Sequence, residues 1–185
     1  NANGSITYTP NAGFTGTDTF SYTVFDGCAE VTATVTITMP TTCDSGGFTT
    51  YTPGGWGAKP SGNNPGMLLK NNFTRVYPGG SVRIGSGSKY LTFTSAKAIE
   101  VFLPLGGNPA PLSGSATNPT TSVGGPFIGH LLSLQLAADF SRVGVKKTGL
   151  GNMAMLAGPL AGYSVDQILA LANGVAGGTA ALPAG

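Results

Sequence analysis

Residues 19–24 and 31–39 alternate apolar and hydroxyl-bearing side chains with a period of two. In the second run Val31, Ala33, Val35, Ile37 and Met39 fall on one side, and Thr32, Thr34, Thr36 and Thr38 on the other. That period belongs to a strand with one buried face. Asp26-Gly27 between the runs is a strong hairpin signal. Upstream, Ile6 and Tyr8 alternate with Ser5, Thr7 and Thr9 until Pro10, Asn11 and Gly13 break the pattern. The reading is three strands within residues 1–40. Three strands with one apolar face cannot enclose a core by themselves. A whole immunoglobulin-type sandwich needs about seven.

The stretches "ITYTPNAGFTGTDTFSYTVFDG" and "ATVTITM" resemble the C-terminal half of bacterial immunoglobulin-like (cadherin-like) repeats, which stand in tandem along large surface adhesins. The resemblance implies a mainly β N-terminal unit, a partial Ig-like sandwich over 1–40. Its apolar face, built on Phe20, Tyr22, Val35 and Ile37, is then an assembly interface. The cover can come from sequence beyond this stretch, from strands donated by a neighbouring chain, or from the domain that follows; the sequence leaves all three open. The start at Asn1 and the end at "ALPAG" read as a fragment or a processed product, with any export signal outside the stretch.

Cys28 and Cys43 flank the last strand. An extended run between them sets them about 30 Å apart, and a disulfide needs Cα atoms within about 7 Å. They are not expected to pair with each other. In an oxidising compartment each then calls for a partner elsewhere, and an intermolecular disulfide from Cys43 of one subunit to Cys28 of the next suits a head-to-tail stack.

From residue 48 the pattern becomes mixed, after a linker over 41–47. A short strand is expected at 48–52. A helical stripe follows through Leu68, Leu69, Phe73 and Val76, stopped by Pro78-Gly79-Gly80. A hairpin pairs Val82 and Ile84 with Leu91 and Phe93 around a Gly-Ser-Gly-Ser turn. Ser95 caps a short helix through Leu103. Residues 105–126 read as a long loop, functional or poorly ordered. "PFIGHLLSLQLAADFS" is the main helix, and 153–156 an extended segment. Ser164 with Gln167 forms a capping box for a last helix, ended at Gly177-Gly178. The expected architecture for 48–185 is an α+β domain with a small sheet and three to four short helices. The stretches "GGFTTYTPGGWG", "NFTRVYPGG", "LTFTSAKAIEVFLPLGG", "SATNPTT" and "VDQILALANGVAGG" resemble a module near the C-terminus of large secreted proteins of Gram-negative bacteria, often those using the type IX export route.

The chemistry-bearing residues are few. Charged residues make up 9% of the chain, against about 25% in an average soluble domain. The net charge of +2 comes with no basic stripe, so nucleic acid is not an expected partner. No apolar run reaches the length of a membrane span. The one histidine, His130, sits in an apolar helical run and reads as structural. The acids stand in unlike contexts, and Asp18 and Asp26 at turns fall short of the six to eight oxygens that calcium takes, so no metal is expected. The Thr-x-Thr row is one strand, not an ice-binding array. "GSGSK" and "GLGNMA" lack the setting of a phosphate loop. No cofactor and no catalytic residue is expected, and the chain reads as no enzyme. Trp56 in the "GGWG" loop, helped by Tyr51 and Tyr77, is the candidate for stacking on a sugar ring, against a plain core role for the indole.

Together these readings imply an extracellular structural or adhesive protein of a bacterial cell surface. Its partners are copies of itself or adjacent Ig-like repeats, joined head-to-tail by strand complementation. The alternative is a carbohydrate- or matrix-binding module, its partners surface glycans, with Trp56 and the 105–126 loop as the site.

Overall fold

The computed structural model describes residues 8, 16–25, 27–39, 47–121 and 123–182. The expected strand over 5–9 (apart from Tyr8), the turn residue Asp26, the linker over 41–46 and Cys43 lie outside them. The chain divides into two compact units, Asn1–Gly47 and Phe48–Gly185.

In the first unit, β1 (Gly16–Phe25) and β2 (Glu30–Met39) form an antiparallel hairpin. The register sets Phe20 opposite Val35, Tyr22 opposite Ala33 and Val24 opposite Val31. Directly opposed residues share a face, so the two alternating patterns add up to one apolar side and one hydroxyl side. On the hydroxyl side Thr23 pairs with Thr32 at 2.9 Å and Ser21 with Thr34 at 3.1 Å. The sequence predicted a partial sandwich; the described residues form a single two-stranded layer. A sandwich needs a second sheet facing the first, and the described residues of the first unit hold only this one sheet.

The second unit is mixed α+β. Its helices are α1 (Pro53–Trp56), α2 (Pro65–Val76), α3 (Ala96–Phe102), α4 (Gly125–Arg142) and α5 (Val165–Gly177). Its sheet has the order β3 (Val82–Ser86), β4 (Lys89–Phe93), β5 (Ala116–Thr117). Strands β3 and β4 are antiparallel, and β5 runs parallel to β4. Helix starts follow local chemistry. Asn64 accepts from the Met67 N–H at 2.8 Å and Pro65 holds the first position of α2. Ser95 accepts from Ala98 N–H, and Ser164 and Gln167 form the reciprocal capping box. Gly178, left-handed at φ 74°, closes α5.

Helix α4 is the central post. Ile128, Leu132, Leu136 and Phe140 are buried along it, and Leu131, Ala137 and Ala138 extend the burial round most of its circumference. A helix apolar nearly all round belongs in a core. Its two buried hydroxyls are satisfied. Ser133 donates to Gly129 C=O, and Ser141 donates to Lys147 C=O while accepting from Leu150 N–H. Around it pack Leu69, Phe73 and Val76 of α2, Ile84, Leu91 and Phe93 of the sheet, Ile99 and Phe102 of α3, and Leu169 and Ala176 of α5.

Three expectations are corrected. Residues 48–52 form no strand; they run unpaired into α1, although their Thr and aromatic residues have strand propensity, because no neighbour offers a ladder. The 105–126 segment is not a free loop. Leu112 is buried, its N–H donates to Ala176 C=O, Asn118 N–H donates to Thr92 C=O, and β5 sits within it. The hairpin turn is Gly87-Ser88, with Ser86 and Lys89 already paired across the ladder.

Candidate functional site

The four residues expected at an assembly face share one side of the hairpin. Phe20 and Val35 are directly opposed, Tyr22 is one pair along, and Ile37 faces Asp18. Phe20, Ala33, Val35 and Ile37 are half-buried, whereas Val24 and Val31 are 56% and 66% exposed. Tyr8 covers part of this side. Its ring stacks on Phe20 with centroids 6.3 Å apart, and its hydroxyl donates to Asp18 Oδ2 at 2.8 Å. That hydrogen bond, then slight burial and the carboxylate's charge, raise the Tyr8 phenol above its ordinary range. Among the described residues each strand pairs only with the other, so each keeps one edge of N–H and C=O groups turned outward. Cys28 is exposed in the connection between the strands.

The three rings expected to stack on a ligand lie in different surroundings. Trp56 ends α1 and is 1% exposed. Its ring meets Phe140 at 5.1 Å and Tyr51 edge-on at 5.2 Å, which leaves no open face for a sugar. Tyr77 is 9% exposed and donates to Asp139 Oδ2 at 2.9 Å. The half-buried Tyr51 borders a hollow of about 170 Å³ shared with Thr50 and His130. A Cβ on Gly57 would lie 2.2 Å from Leu103 C=O, so the backbone next to Trp56 packs directly on the end of α3.

Asp139 is the node that sequence reasoning missed. It accepts from Tyr77, from Gln135 Nε2 at 3.0 Å to both oxygens, and from Arg142 one turn on. Arg142 also reaches Asp166 at the start of α5. Asn173 of α5 extends the network, donating to Leu169 C=O and accepting from the Gly85 N–H at 2.7 Å. Burial, then the Asp139 charge, then the hydrogen bond drive the Tyr77 phenol far above its ordinary range. A phenol so held donates a hydrogen bond and does not act as a base. Both Asp139 oxygens are engaged, so this cluster fastens α2, α4, α5 and β3 together. The Asp139–Arg142 spacing was readable as an i,i+3 pair; the Asp166 partner arises only from packing of α4 against α5.

A cavity of about 290 Å³ opens between α1, α2 and α3. Trp56, Leu69 and Ala96 line it, with Lys59, Lys70, Lys97 and Glu100 around them. Lys97 and Glu100 pair at 2.6 Å. Among the described residues no cluster of metal-ligating side chains occurs, and no helix is long and apolar enough to cross a membrane.

Residues 1–41 match the family described as the bacterial cadherin-like domain. The first unit is thus similar to a cadherin-like domain over residues 1–41, and the match does not reach the second. No curated protein and no solved structure matches the chain.

Proposed function

We propose that the chain is a structural or adhesive segment of an extracellular bacterial surface protein, joined head-to-tail when strands from an adjoining repeat or a second copy complete its N-terminal β-unit. The observation that carries this reading is the hairpin itself. It has an apolar side with Val24 and Val31 more than half exposed and, among the described residues, two outward-facing backbone edges, within the stretch that matches a cadherin-like domain. Added strands would pair with the edges and bury that side, the mode of β-strand addition. The likeness of 48–185 to a module of type IX-exported proteins supports a place on the cell surface. The reading involves no catalytic step. The sugar-stacking alternative loses its support at Trp56 and Tyr77, whose rings are buried.

The test is light scattering of the whole chain over a range of concentrations, with and without reductant. The expected result is concentration-dependent chains of subunits that Val35→Asp reduces to monomer; a disulfide ladder would place Cys28 and Cys43 at the joint. A monomer at every concentration, with the native sequence, refutes head-to-tail joining of copies.

A further inference from the structure

The cavity between α1, α2 and α3 pairs an apolar interior with a cationic rim. Its volume, about 290 Å³, lies at the small end of the range for ligand sites, about 300–1,000 Å³. Of the four charged residues around it, Lys97 and Glu100 neutralise each other. Lys59 and Lys70 are exposed and have no acidic partner among the described residues. The rim therefore attracts an anion. Trp56, Leu69 and Ala96 offer an occupant apolar contact and few hydrogen bonds. A sugar would leave most of its hydroxyls unmatched there, and a bare inorganic anion would make no use of the apolar lining.

We propose that this cavity binds a compact carboxylate with an apolar body, the body in the apolar interior and the carboxylate held by Lys59 and Lys70. The inference is independent of head-to-tail joining, because it concerns the second unit alone.

Trp56 is the sole tryptophan, so its emission reports directly on the cavity. The whole chain is titrated with N-acetyl-leucine, 4-methylpentanoate, N-acetyl-leucinamide and acetate. The expected result is a saturable emission change with N-acetyl-leucine below about 10 mM, and binding at least about tenfold weaker for the uncharged amide and for acetate. Equal binding of 4-methylpentanoate identifies a free carboxylic acid as the natural ligand type. Binding of N-acetyl-leucine alone identifies the C-terminal residue of a polypeptide. The double variant Lys59→Gln/Lys70→Gln changes two exposed side chains. It should keep the native thermal midpoint and lose about tenfold in affinity. Absence of any saturable change, equal affinity for acid and amide, or full affinity in the double variant overturns the proposal.

Discussion

Tyr77→Phe removes one oxygen from a buried ring and leaves its packing in place. The lost bond runs from a hydroxyl to a carboxylate at 2.9 Å. Hydrogen bonds to charged groups contribute about 1.5–3 kcal/mol, and Asp139 keeps Gln135 and Arg142, so the expected cost at pH 7 is at the low end, about 1.5 kcal/mol. The pH dependence separates this bond from a packing effect. The folded protein holds the Tyr77 phenol protonated far above its ordinary range, whereas the unfolded chain releases that proton near about pH 10. Above that pH the unfolded state binds fewer protons than the folded state, and stability falls by about 1.4 kcal/mol per pH unit. The contribution is therefore complete below about pH 10 and shrinks above it. Phe cannot ionise in either state. The gap between wild type and Tyr77→Phe should hold from pH 7 to 9 and nearly vanish by about pH 11. Comparison of the two proteins cancels the other tyrosines. Urea denaturation followed by the emission of Trp56, buried in the same core, gives both stabilities. Equal stability at pH 7, or a gap that persists unchanged at pH 11, would refute the assignment of this hydrogen bond.

Two further outcomes probe the packing. A Cβ on Gly177 would lie 2.3–2.5 Å from Ser86 atoms, two of them backbone, so Gly177→Ala should push α5 off β3 and cost about 1–3 kcal/mol in chemical denaturation. Ser164→Ala removes one half of the capping box and should cost about 1 kcal/mol, whereas Ser164→Asp should retain most of the native stability in the same assay.

Features encoded within a few residues of themselves were readable. The capping box at Ser164, the Ser95 cap, the α4 body and the period-two faces of the hairpin each depend on short-range chemistry, and the structure carries them. Features settled by distant partners were not. Residues 48–52 have strand-forming side chains and no strand beside them, so propensity misled. The two residues of β5 carry no periodic signal, and they become a strand because β4 presents an open edge. The α1 turn contains two glycines and a proline, a poor helix by composition; Thr52 caps it and burial of Trp56 fixes it. The stacking role for Trp56 failed for the same reason, since exposure of an aromatic ring is decided by the whole core. Asp166 reads as an isolated charge until α4 and α5 lie side by side and bring it to Arg142.

The hydroxyl side of the hairpin has a consequence of its own. From Thr17 and Thr38 through Ser21 and Thr34 to Thr23 and Thr32, opposed residues meet as uncharged pairs, with Glu30 the one ionisable group, at the far end beside Phe25. Dissolved salt acts by screening charge, and this surface offers it almost nothing to screen. Whatever touches it meets the same surface in fresh water and in brine, so any grip it has comes from short-range fit alone.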